Sequence, residues 1–148
     1  MDTVRSGRGA NAALLTVVDR ATRLLATTKL ENLSQNAVLK GFARLTVDFP
    51  GPVRSVTVDH GKEFPCNQAL TKCYRIPVYF CHAYHPNERG TNERFNRELH
   101  YYFPKGTKFH QVSEADIQRA TELINNKPRK CLHWQTPWQA VSKPLSSC

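Results

Sequence analysis

Apolar residues in this chain gather into short runs, and their periods separate strands from helices. Ala12 to Val18 is apolar except for Thr16, Arg23 to Leu30 holds a second such run, and Asp19-Arg20-Ala21-Thr22 between them has turn composition. Before them, Met1 to Val4 is mildly strand-like, and Arg5 to Asn11 has the glycines and polar residues of a hairpin loop. The chain is thus expected to open with three antiparallel strands, the first of them clipped. Ser34 suits the cap of a helix running to about Val47, because Ala37, Val38, Gly41, Phe42 and Leu45 recur at helical spacing. Pro50-Gly51-Pro52 ends it. Val53, Val56 and Val58 then mark a short buried strand with Asp59 at its carboxyl end.

The second half alternates in the same way. A short helix is expected from Asn67 to Cys73 and a strand from Pro77 to Cys81. After a loop at Pro86 and Gly90, few breakers interrupt Asn92 to Tyr102, which reads as a helix carrying Glu93 until Pro104-Lys105-Gly106. Ser113 caps a further helix, with Asp116 at the N3 position of a capping box and Ile117, Ala120, Leu123 and Ile124 as the apolar stripe. Asn125 to Lys130 ends it, and Thr136 to Val141 is a last short helix with Pro137 at its first position. No internal repeat or low-complexity tract interrupts this order.

Composition narrows the class. A length of 148 residues suits one domain with a real core. Lys and Arg outnumber Asp and Glu by 21 to 12, a formal charge of +9 that favours a polyanionic partner over a merely soluble basic protein. The absence of an apolar run of spanning length and of a signal-peptide pattern predicts a cytosolic protein with no membrane partner. Cys66, Cys73, Cys81, Cys131 and Cys148 are an odd set without a paired CxxC, which argues against structural zinc and a disulfide framework. Cys81 and His85 have metal-ligand spacing, but a Cys at a strand end is more simply a small apolar side chain.

Two acids stand out, Asp59 at a strand end and Glu93 on a helix, with 33 residues between them. Strand ends are where open α/β sheets place catalytic groups. Each acid also has a plain reading: Asp before Gly forms turns, and Glu93 can pair with Arg97 four residues on. This spacing and these flanks resemble the DDE transposase and retroviral integrase core. The wording Arg89-Gly90-Thr91-Asn92-Glu93, with Tyr102-Phe103-Pro104-Lys105-Gly106-Thr107, resembles the IS30 family of bacterial insertion-sequence transposases. The likeness runs from about Asp2 to about Val141, nearly the whole chain.

The resemblance implies an α/β, ribonuclease H-like fold, a mixed five-stranded sheet flanked by helices, in one integrase-like catalytic core domain over residues 1–148. It implies a first strand shortened at its start and the absence of the helix-turn-helix region that such transposases carry upstream. It assigns Asp2, Asp59 and Glu93 as catalytic acids and ligands of two Mg²⁺ or Mn²⁺ ions, with Asp19 in reserve. Two-metal phosphodiester chemistry needs such carboxylates from separate elements to meet, with the ions roughly 3.5–4 Å apart. The implied reaction is DNA nicking at element ends followed by strand transfer in a homo-oligomeric complex at the bacterial nucleoid. Lys62, Arg89, Asn92, Arg94, Asn96, Arg97 and Lys105 are the implied DNA contacts, with Lys108, Lys127, Arg129 and Lys130 adding charge. His60 stands where the family has Asn, and Tyr84, Tyr101, Tyr102 and Phe103 are either base-stacking or core aromatics. Two alternatives remain open: a catalytically silent fragment that binds DNA or dimerises, and a ribonuclease H-like nuclease.

Overall fold

The structure is a computed structural model that describes residues 1–58, 67–81 and 86–142, with backbone alone for residues 67 and 86–89. Its strands are β1 (Asp2–Arg5), β2 (Ala13–Val18), β3 (Leu25–Leu30), β4 (Val56–Val58) and β5 (Val78–Phe80). Its helices are α1 (Gln35–Asp48), α2 (Asn67–Tyr74), α3 (Pro86–Tyr102), α4 (Glu114–Asn125) and α5 (Pro137–Val141). β1, β2 and β3 form an antiparallel ladder in which Asp2 faces Thr16 and Ala13 faces Leu30. β4 and β5 form a separate parallel pair, Val56 opposite Val78. The amino group of Met1 donates to Thr57 O at 2.8 Å and so lays the start of β1 beside β4.

The continuous apolar run in β2 reflects a strand covered on both faces. Leu14 and Leu15 are both fully buried but, as neighbours in a strand, point to opposite sides. Leu15 joins Leu30, Val38, Phe42, Leu45, Val56, Val58 and Leu70 under α1 and α2. Leu14 joins Val4, Leu25, Phe95, Leu99, Phe109, Ile117 and Ile124 under α3 and α4. Removing each such side chain from water contributes about 1.5–3 kcal/mol. On the first face α1 lies close: a Cβ at Gly41 would come 2.5 Å from Leu30 Cδ2.

Helix boundaries follow local chemistry with informative departures. Ser34 caps α1 as expected, accepting from Ala37 N at 3.2 Å. Ser113 caps α4, but Asp116 does not close the expected box on the cap backbone; its Oδ2 accepts from Ser113 Oγ instead. The complete box is at α5, where Thr136 and Gln139 satisfy each other's backbone N–H groups. β4 begins at Val56 rather than Val53. Helix α3 begins at Pro86 rather than Asn92, since proline is well placed in a first helical turn and a single interior glycine, Gly90, costs only about 1 kcal/mol. Leu123, expected in the stripe of α4, is half exposed. Thr121 and Asn125 occupy the inner face instead, because β3 offers them hydrogen-bond partners.

Candidate active site

Asp2 lies at the start of β1, half-buried, with both carboxylate oxygens engaged. Its Oδ1 accepts from Thr3 N at 2.8 Å, and its Oδ2 accepts from Asn96 Nδ2 at 2.7 Å. Thr16, its partner across the ladder, donates through Oγ1 to Asp2 O at 3.1 Å. The acid is therefore held from the sheet on one side and from α3 on the other.

Phe95 and Leu99 are the buried anchors of α3, and they set which residues turn inward. Asn92 and Asn96 flank that face and are partly buried, while Glu93, Arg94 and Arg97 are exposed. Glu93 precedes Asn96 by three residues, so their side chains are neighbours on the helix surface. Asn96 thus brings Asp2 to the stretch of α3 that bears Glu93. Among the described residues Glu93 makes no hydrogen bond or ion pair, and the Arg97 pairing is absent; Arg94 turns to Glu98 instead, at 3.8 Å. The second oxygen of Asn96, Oδ1, is buried without a partner.

The remaining candidates divide by position. Asp59 follows Val58 at the end of β4, but it lies outside the described residues, as do His60, Lys62, Tyr84 and His85; the side chain of Arg89 is likewise not described. Asp19, the reserve acid, is occupied in its own turn, where Oδ2 accepts from Thr22 N and Thr22 Oγ1 at 2.9 and 2.6 Å. Asn96, expected to face DNA, points inward to Asp2. Lys105 is exposed beyond the far end of α3, and Tyr102 already lies roughly 14 Å along the axis from Glu93. Tyr101 is exposed and Phe103 is core.

Arg129 departs furthest from its expected place on the surface. It is 4% exposed, so it adds nothing to the outer charge. Its guanidinium forks onto both carboxylate oxygens of Glu98, donates to Ile124 O at 3.1 Å and lies over the Phe95 ring at 4.8 Å. Lys127 reaches Glu98 at 3.6 Å from outside. Burial pushes the Glu98 carboxyl up, but the Arg129 hydrogen bond and the charges of Arg129, Lys127 and Arg94 outweigh it and hold the group below its ordinary value. Nothing local in the sequence signals this post, because its partners Glu98 and Phe95 lie on α3, about thirty residues earlier.

Among the described residues no three His, Cys, Asp or Glu side chains cluster as a metal cage, and no helix is long and apolar enough to cross a membrane. No protein-family model matches the chain. It is 30% identical over 142 residues, 95% of its length, to the transposase for insertion sequence element IS1086 of Cupriavidus metallidurans. It is 31% identical over 137 residues, 92% of its length, to transposase InsI for insertion sequence element IS30A of Escherichia coli. The chain spans about two fifths of these curated relatives, 42% and 36% of their respective lengths. Its fold superposes on the catalytic core domain of BIV integrase with TM-score 0.69 and 19% identity, covering 94% of this chain and 89% of that one. A chain in the simian T-cell lymphotropic virus intasome, in complex with PP2A regulatory subunit B56 gamma, gives TM-score 0.79 at 18% identity, covering 99% of this chain and 54% of that one. The molecule is thus a homologue of the IS30-type insertion-sequence transposases, built on the ribonuclease H-like fold of an integrase catalytic core.

Proposed function

We propose that this chain is the catalytic core of a DDE transposase, in which Asp2, Asp59 and Glu93 hold two divalent cations, Mg²⁺ or Mn²⁺. The observation that carries the reading is the Asn96 Nδ2 hydrogen bond to Asp2 Oδ2, because it ties the acid of β1 to the helix that bears Glu93. The donor set suits such ions. Asp2 and Glu93 supply carboxylate oxygens, Asn96 Oδ1 is a buried acceptor without a partner, and Mg²⁺ prefers hard oxygen ligands. When bound, a metal pair activates the attacking oxygen and stabilises the leaving one in phosphodiester displacement.

The chain's own residues supply the rest. Thr3 N–H and Asn96 hold the Asp2 carboxylate in place before any ligand arrives. Glu93, exposed near the middle of α3 and three residues before Asn96, completes the acidic set with Asp59. Arg94 and Arg97 are exposed beside it and, with Arg89 and Lys62, bind the phosphates on either side of the scissile bond; Asn92 directly precedes Glu93 on the helix, and Lys105, beyond the end of α3, meets phosphates farther along the duplex. Water attacks the phosphodiester at the end of the mobile element and displaces its 3′-oxygen as a hydroxyl, which then attacks a target phosphodiester and displaces the target's own 3′-oxygen. The active complex is a homo-oligomer acting at the bacterial nucleoid.

A single-turnover assay tests this reading on labelled duplex carrying the inverted repeats that flank the coding frame. With Mg²⁺, the wild type is expected to nick the duplex and Glu93→Gln to lose at least about a hundredfold in rate. Equal cleavage by both proteins would remove Glu93 from the site. Salt-sensitive binding with no cleavage by the wild type would make the chain a DNA-binding protein only.

A further inference from the structure

The turn between β2 and β3 is wired more tightly than a surface turn requires. Asp19 N donates to Leu24 O and Arg23 N donates to Asp19 O, both at 2.9 Å, while the Asp19 carboxylate takes both donors of Thr22. Arg23 at its corner has φ +60°, the left-handed region. For a residue with a side chain that conformation is strained and persists only where the surroundings over-determine it. What the strained corner achieves is reach. Arg23 Nη1 crosses to α3 and donates to Thr91 Oγ1 at 2.9 Å, over 68 residues of sequence.

The turn is anchored on its other flank as well. Asn125, at the end of α4, accepts from Leu25 N at 2.9 Å and donates to Leu25 O at 2.8 Å, directly after the turn. Three residues before Asp19, Thr16 holds the Asp2 backbone. The turn is therefore fixed relative to Asp2 through β2 and relative to α4 through Asn125. Thr91 lies two residues before Glu93, so the two side chains leave the helix about 200° apart. A grip at Thr91 sets the rotation and height of α3 without occupying the face that Glu93 presents.

We infer that Arg23 is a positioning residue, one that grips α3 at Thr91 and thereby fixes where Glu93 stands relative to Asp2. The inference rests on the proposed role of Glu93 and adds to it the element that aligns the two acids. Thr91→Val keeps the side-chain shape and removes the acceptor.

Hydrogen exchange of the full chain without metal, followed by Mn²⁺ titration, tests it. Thr91→Val and Arg23→Gln are each expected to speed amide exchange over residues 86–95 by about tenfold, the loss of one charge-assisted hydrogen bond. Exchange in α4 should not change. Mn²⁺ affinity is expected to fall by roughly tenfold, as when an outer partner of a ligand is removed, and the double variant should be no worse than the poorer single one. Unchanged exchange in Thr91→Val, faster exchange with unaltered Mn²⁺ affinity, or additive losses would overturn the inference. If the wild type itself fails to bind Mn²⁺, the metal role of Asp2 and Glu93 falls, while the metal-free exchange still decides whether Arg23 positions α3.

Discussion

On one side of the sheet, α1 and α2 meet the strands through side chains such as Val38, Phe42, Leu45 and Leu70, all apolar and buried. On the other side, α3 and α4 also bury an apolar stripe, but they carry a set of long-range polar ties through it. Thr27 and Thr121 share a hydrogen bond at 2.6 Å, Gln118 Nε2 donates to Thr27 O at 3.0 Å, Asn125 pairs with Leu25, and Arg129 clamps Glu98. Apolar packing tolerates small slides between layers, whereas directed hydrogen bonds admit one register. The polar side is the one that carries Glu93 and, through Asn96, holds Asp2. Most of these ties fix α4 on β3, and the Arg129 clamp on Glu98 extends the fixed register to α3.

Breaking the strongest tie should have the largest effect. Arg129→Ala leaves Glu98 without its main partner and is expected to cost about 3–5 kcal/mol, read as a shift in the urea midpoint. Phe42→Ala on the opposite face is expected to cost a similar amount through a cavity. The two losses differ in pH dependence. The carboxyl of Glu98 is held below its ordinary 4.5 in the folded chain, so its contribution is complete above that value and is lost as pH falls through the lower folded one. In Arg129→Ala the acid-side decline in stability should shrink, and in Phe42→Ala it should keep the wild-type shape. An unchanged acid slope in Arg129→Ala would mean that the clamp is not the titrating device.

The same contrast explains what could be read from the chain alone. Ala12 to Val18 reads as a strand because both faces of β2 are apolar, and Ser34 and Ser113 mark helix starts because capping is local. Period and capping say little about ties between distant residues. Nothing in Asn96 itself reveals that its partner is Asp2, 94 positions away. Leu123 was expected inside on period alone, yet the inner positions of α4 went to Thr121 and Asn125, whose partners lie on β3. Arg129 looked like one more basic residue until α3 brought Glu98 and Phe95 against it. Asp59 is singled out in the sequence by its strand-end setting and flanks, and it lies outside the described residues.

A smaller effect sharpens the comparison at the hairpin after α4, where Arg129 bridges Gln135. His133 and Trp134 there adopt φ +52° and +66° in succession, a conformation that glycine adopts without strain. His133→Gly relieves left-handed strain of about 1–2 kcal/mol at an entropic cost of about 0.5–1 kcal/mol, and is expected to raise stability by about 0.5–1 kcal/mol and the melting temperature by a few degrees. Destabilisation instead would mean that the His133 side chain contributes more than its backbone strain costs.

The claim that matters most is that Asp2 and Glu93 serve one ion-binding site. Calorimetric titration of Mn²⁺ into the wild type, Asp2→Asn and Glu93→Gln tests it without DNA. Saturable binding is expected of the wild type, with a loss of at least about tenfold in affinity in each variant and thermal stability kept in Glu93→Gln. Equal Mn²⁺ affinity in all three folded proteins would contradict it.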